Sequence, residues 1–189
     1  MSKGLTIIDK DYTQWVENLS VRYRQSQIKA AVRVNRELLK YYWELGRDIE
    51  EMHVEERWGQ SVIKNLSVDL QLKNPNSTGL SRTNIYYAKK FYLLYSQYLK
   101  VVPQVVGQLE NGKAQQAVKD SPEIVPQPVG QLEEMLFSIP WGHHRYLIDR
   151  YGTEPAKAFF YVKKTMQEGW SRDVLLNFMD SGLYEREGK

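Results

Sequence analysis

From Ile28 onward, apolar side chains recur every three or four positions: Ile28, Ala31, Val34, Leu38, Tyr41, Tyr42, Leu45, Ile49 and Met52. Arg33, Arg36, Glu37, Lys40, Glu44 and Arg47 fall between them. This period puts the apolar set on one side of an α-helix and the charges on the other. No proline occurs from Asp11 to Glu56, and Gly46 is the only glycine there, so the spacing predicts a helix as one rod or as two pieces breaking near Ser20 to Ser26. A run of this length predicts a partner to pack on. Asn35 stands inside the stripe, where its amide must be satisfied within the fold. The alternative is a polar pair that sets register across a dimer seam, with an exposed Trp43 beside it.

Beyond the turn at Trp58 and Gly59, Val62, Ile63, Leu66, Leu70 and Leu72 predict a shorter helix that ends before KNPNSTG. A third helix starts at Arg82, with Ser81 as its cap and Gly79 in the preceding turn. On its wheel Ile85, Tyr87, Ala88, Phe91, Tyr92, Leu94, Tyr95 and Tyr98 share an apolar arc, opposite Arg82, Tyr86, Lys89, Lys90 and Gln97. Residues 99–139 lack a sustained helical period and hold four of the seven prolines, which predicts a connector interrupted at most by short pieces of structure. Inside it a phrase occurs twice, VPQVVGQLE ending at Glu110 and VPQPVGQLE ending at Glu133. Two copies are too few for a solenoid. The second, running straight into LEEMLFSIPWGHH, is the one expected to dock on the core.

Helical pattern resumes from Pro140, with Trp141, Tyr146, Leu147, Ile148 and Tyr151 as apolar mass. Next comes a helix with Pro155 in its first turn, Ala158, Phe159, Val162 and Met166 inside, and Gly169 as its stop. A last helix is capped by Ser171 and ends near Gly182. The expected fold class is therefore all-α, read as an N-terminal helical part (1–98) with a helix-turn-helix-like unit, a proline-rich connector (99–139) and a C-terminal helical block (140–189) packed with the first part.

Composition adds exclusions. The chain has 189 residues and no cysteine, which removes disulfides, thiolate metal sites and cysteine nucleophiles. No stretch reaches the roughly 20 apolar residues of a membrane span, and the start MSKGLTIIDKDYTQW lacks a signal-peptide core, so a cytoplasmic protein away from membranes is expected. Net charge is only +3, but residues 61–100 carry six Lys or Arg against Asp69 alone. One segment is thus strongly basic.

No phosphate-loop, dinucleotide or nucleophile-elbow motif occurs, and the adjacent His143 and His144 point about 100° apart on a helix, unsuited to one metal. No cofactor, metal or catalytic residue is expected; the terminal Glu187, Gly188 and Lys189 mimic a nuclease tripeptide without a strand around it. A short helix, a turn and a capped basic helix have the layout of a helix-turn-helix, whose second helix enters the DNA major groove. Arg82, Asn84, Tyr86, Lys89 and Lys90 are the contact candidates, Arg and Asn for base edges, Lys and Tyr for phosphates. GLSR at Gly79–Arg82 is echoed by GWSR at Gly169–Arg172, which adds Arg172 as a phosphate contact at a helix start.

Five ordered motifs, AVRVNRELLKYYWELGRDI, RWGQSVIKNLSVDLQ, GLSRTNIYYAKKFYLLY, SIPWGHHRYLID and FFYVKKTMQEGWSRDVL, resemble the N-terminal domain of YhcG-like proteins, domain-of-unknown-function family 1016. The resemblance spans about Asp11 to Asp180. Longer members continue into a PD-(D/E)XK nuclease domain, which implies that the helical part positions DNA or a partner for cleavage. No nuclease half is present in these residues, and the resemblance implies no catalytic residue. Two expectations follow. The first is a non-catalytic DNA-binding or targeting domain with DNA as partner; the alternative is a protein-interaction or dimerisation module, as a homodimer or with a nuclease or restriction-modification subunit.

Overall fold

A computed structural model of the chain describes residues 10–110 and 129–188. All regular structure among them is helical: α1 (Lys10–Glu51), α2 (Val54–Trp58), α3 (Val62–Lys73), α4 (Arg82–Glu110), α5 (Val129–Leu136), α6 (Trp141–Tyr151), α7 (Pro155–Glu168), α8 (Arg172–Asp180) and α9 (Leu183–Glu187). The fold is all-α. No described helix is long and apolar enough to cross a membrane.

α1 is one unbroken rod. It enters the body only at Asn35 and buries Leu39, Tyr42, Gly46 and Ile49. This stripe is rotated from the expected one: Ile28, Val34, Tyr41 and Met52 are exposed, whereas Leu39 is fully buried. The close approach of α4 selects the face. A Cβ on Gly46 would lie 2.8 Å from Tyr92 Cβ and 2.9 Å from the Ala88 carbonyl carbon, so only a glycine lets the two backbones meet here.

α4 is the central element. Its first turns place Ile85 against Ile49, Val54 and Ile63 in a small cluster with α1, α2 and α3. Farther along, Phe91, Leu94, Tyr95 and Leu99 join Leu39 and side chains of α5 to α9 in the main core. The helical stretches on either side of the proline-rich segment therefore share one core.

Local signals explain the starts of α4, α7 and α8. Ser81 Oγ accepts the Asn84 backbone N–H at 3.2 Å, and Ser171 Oγ accepts that of Val174 at 3.4 Å. Pro155 occupies the first turn of α7, and Gly169 closes it with a left-handed φ of 65°. Three differences stand out. α4 does not give way at 99 but continues through Pro103 to Glu110, taking in the first copy of the repeated phrase. α8 ends near Gly182 as expected, at Asp180, but a further helix, α9, follows and buries Leu183. In α7 the inward position is Thr165, with Met166 exposed.

The described end of the second copy, 129–133, docks as expected through buried Leu132, and Leu136 follows it into the core on the same helix. Residues 111–128 lie outside the described residues. Arg36 on α1 forms an ion pair with Glu134. The α5–α6 junction is clamped by Asn35, whose Nδ2 donates to the Ile139 carbonyl at 3.1 Å while its Oδ1 accepts the Trp141 backbone N–H at 3.3 Å. Asn35 is thus satisfied within the chain, as the first of the two readings expected. Trp43, expected at an exposed contact, instead packs edge-on against Phe91, Tyr92 and Phe137.

Removing the clamp has a defined cost. Asn35→Ala is expected to lower stability by about 2 kcal/mol, because two half-buried backbone groups lose their partners. Asn35→Asp should recover only part of it, since a carboxylate accepts from Trp141 but cannot donate to Ile139. Urea unfolding of the three proteins measures the difference.

Candidate nucleic-acid interface

The connection from α3 to α4 is tied down on both sides. Tyr42 donates its hydroxyl to the Gly79 carbonyl at 2.9 Å, and burial pushes its pKa up to about 12, so it remains a donor at ordinary pH. The Leu80 carbonyl accepts from Ser67 Oγ at 2.8 Å and from Gln71 Nε2 at 3.1 Å. These bonds fix where α4 begins. With eight residues between helices, 74–81, the connection is longer than a strict helix-turn-helix turn.

From that start Arg82, Tyr86 and Lys90 follow one another at four-residue spacing along one face. Arg82, Thr83 and Tyr86 line an open groove of about 460 Å³ together with Gln60, Ile63, Lys64 and Glu55. Lys90 Nζ sits 4.7 Å from the centre of the Tyr86 ring and 5.9 Å from that of Tyr87. The guanidinium carbon of Arg145, contributed by α6, lies 4.7 Å from the centre of the Tyr87 ring. Tyr87 donates its hydroxyl to Asp149 at 2.7 Å, and this bond, with burial, raises its pKa. The result is a strip of cations alternating with tyrosine rings, Arg82 and Lys64 at one end, Arg145 at the other. No ion pair joins Lys64, Arg82, Lys90 or Arg145 to a carboxylate among the described residues.

The other three candidates are placed differently. Lys89 turns to α2 and α1, with its Nζ 2.6 Å from Glu55 and 3.9 Å from Glu50, and its side chain is only 19% exposed. Its charge is already spent inside the protein. Asn84 uses its Oδ1 to accept the Trp141 indole N–H at 3.3 Å. Arg172 is well exposed at the start of α8 and lies 3.6 Å from the adjacent Asp173. Among the described residues no ion pair or ring contact joins Arg172 to the strip. Lys64 and Arg145 were missed by sequence reasoning. Lys64 carried a signal, lying in the basic segment, but Arg145 did not, since only tertiary packing brings α6 beside Tyr87.

Both neighbouring histidines are committed to the protein. His143 Nε2 lies 3.0 Å from the Trp170 carbonyl, and His144 is buried between the Leu136 carbonyl and the Tyr95 hydroxyl. No cluster of three potential metal ligands occurs among the described residues. Glu187 pairs with Lys164 at 2.8 Å.

Fold and surface together define a helical domain with a cation-and-tyrosine strip built on its central helix. The sequence profile of the DUF1016 N-terminal domain matches residues 18–186, and the chain belongs to that family. No curated protein and no solved structure matches the chain.

Proposed function

We propose that this domain is a non-catalytic DNA-binding or DNA-targeting element that grips the phosphate backbone with the strip on α4. The observation that carries this reading is the set Lys64, Arg82, Lys90 and Arg145, four cations without carboxylate ion pairs among the described residues and interleaved with Tyr86 and Tyr87. Guanidinium and ammonium groups suit phosphate oxygens, and the exposed Tyr86 adds a hydroxyl donor and a stacking face. The family resemblance agrees in kind, since longer members carry a nuclease domain that needs its substrate held.

Fluorescence anisotropy with a mixed-sequence duplex tests this. Four phosphate contacts predict that log K falls with log salt at a slope of roughly −3 to −4. Arg82→Glu with Lys90→Glu should weaken binding at least about tenfold and flatten that slope by about 2. Lys89→Gln, by contrast, should leave DNA affinity nearly unchanged, because Lys89 already serves Glu55. Binding that ignores salt and the double substitution would remove the assignment.

A further inference from the structure

The first 25 residues of α1, Lys10 to Val34, leave the body of the protein, and all but Ser20 are exposed. At about 1.5 Å per residue this arm is about 37 Å long. Its internal support includes hydrogen bonds from Gln14 to Asn18, from Gln27 to Tyr23 and from Ser26 to the Arg22 carbonyl, and a Tyr12–Trp15 ring contact. Side-chain pairs of this kind contribute only about 0.2–0.5 kcal/mol each. Yet nine large apolar side chains on the arm are exposed. A helix with so much apolar surface and so little tertiary contact is stabilised by packing on another element.

We propose that the arm pairs antiparallel with the arm of a second copy of this chain. Tyr12, Val16, Leu19, Tyr23, Ser26 and Ala30 follow one another at alternating spacings of four and three, which is the seam of a two-stranded coiled coil. Three observations select a second copy, in this direction. The first is charge: residues 10–21 hold Lys10 against Asp11 and Glu17, net −1, whereas residues 22–34 hold Arg22, Arg24, Lys29 and Arg33, net +4. Parallel pairing would set +4 beside +4; antiparallel pairing sets it beside −1.

The second is side-chain size. With the two-fold axis near Val21, each seam residue of one arm meets one of the other: Tyr12 meets Ala30, Val16 meets Ser26, and Leu19 meets Tyr23. Large residues face small ones at both ends, as interdigitation requires. The third is area. Half the lateral surface of a helix of this length and about 10 Å diameter is on the order of 600 Å² per copy, or about 1,200 Å² in all, which reaches the lower bound of specific stable interfaces.

The full chain tests the idea directly. Light scattering across a concentration series should give twice the monomer mass, and Leu19→Glu with Tyr23→Glu should halve it without loss of the body's helical signal. Because the chain has no cysteine, single cysteines report direction. Tyr12→Cys mixed with Ala30→Cys should yield a mixed disulfide dimer, while neither variant cross-links to itself. Self-cross-linking of each variant would mean a parallel pair and overturn the proposal. So would a monomer at every concentration, or a dimer that dissolves with Ile28→Glu but not with the Leu19 and Tyr23 pair.

Discussion

Gly46→Ala is expected to lower the thermal midpoint by roughly 5–10 °C, the cost of about 2–3 kcal/mol of overpacking at the crossing of α1 and α4. At an exposed helical site the same change should stabilise, since alanine is favoured over glycine by about 1 kcal/mol. Here the sign reverses because the new methyl group meets backbone. Its neighbours are the Ala88 main chain and the Tyr92 Cβ, and neither can rotate away. Relief requires the two helices to separate, which loosens both clusters that α4 joins. Gly142 on α6 supplies the control: nothing lies within 4 Å of a Cβ placed there, so Gly142→Ala should be neutral or slightly stabilising. A calorimetric comparison of the two variants decides whether the contact sets the effect.

His144→Leu should cost about 3 kcal/mol, because the imidazole satisfies two buried groups at once. The Leu136 carbonyl, 2.8 Å from Nε2, needs a donor, so Nε2 carries the proton and Nδ1 accepts from the Tyr95 hydroxyl at 3.2 Å. Burial pushes the pKa of His144 down to about 3. In the unfolded chain the ring protonates near pH 6.5. Between these values the unfolded state binds a proton that the folded state does not. The contribution of His144 is therefore complete above about pH 6.5 and is lost as pH falls toward 3, at up to about 1.4 kcal/mol per pH unit. Urea midpoints at pH 7 and 4.5 should diverge in the natural protein and converge in His144→Leu. Adding Tyr95→Phe to that variant should recover about 1 kcal/mol, since no hydroxyl is then left unpaired.

Several helix ends were legible because their chemistry is local: Ser81, Ser171 and Pro155 at starts and Gly169 at a stop act within a few residues of themselves. Tertiary choices were not. The expected stripe on α1 spread from Ile28 to Met52, but a helix with apolar residues on more than one side has no unique inner face until a neighbour is known. Gly46 was the residue that decided, and its role depends on Ala88 and Tyr92. Pro103 reads as a breaker, since it withholds an N–H from the helix, yet α4 runs through it. For the surface, the four-residue spacing of Arg82, Tyr86 and Lys90 was visible. That Lys89 answers Glu55 was not, because the partner lies 34 positions away.

The junction between α5 and α6 is held in an unusual currency. Asn35 on α1 and His144 on α6 both bind it, and what they grasp are main-chain carbonyls of Ile139 and Leu136 and the main-chain N–H of Trp141. Such a latch recognises the path of the chain rather than the chemistry of its side chains. Exposed Ser138 should therefore tolerate wide substitution. A one-residue insertion or deletion between Leu136 and Trp141 should not be tolerated, because it would carry the carbonyls past both grips together. Length variation in this family is then expected to be rare between α5 and α6.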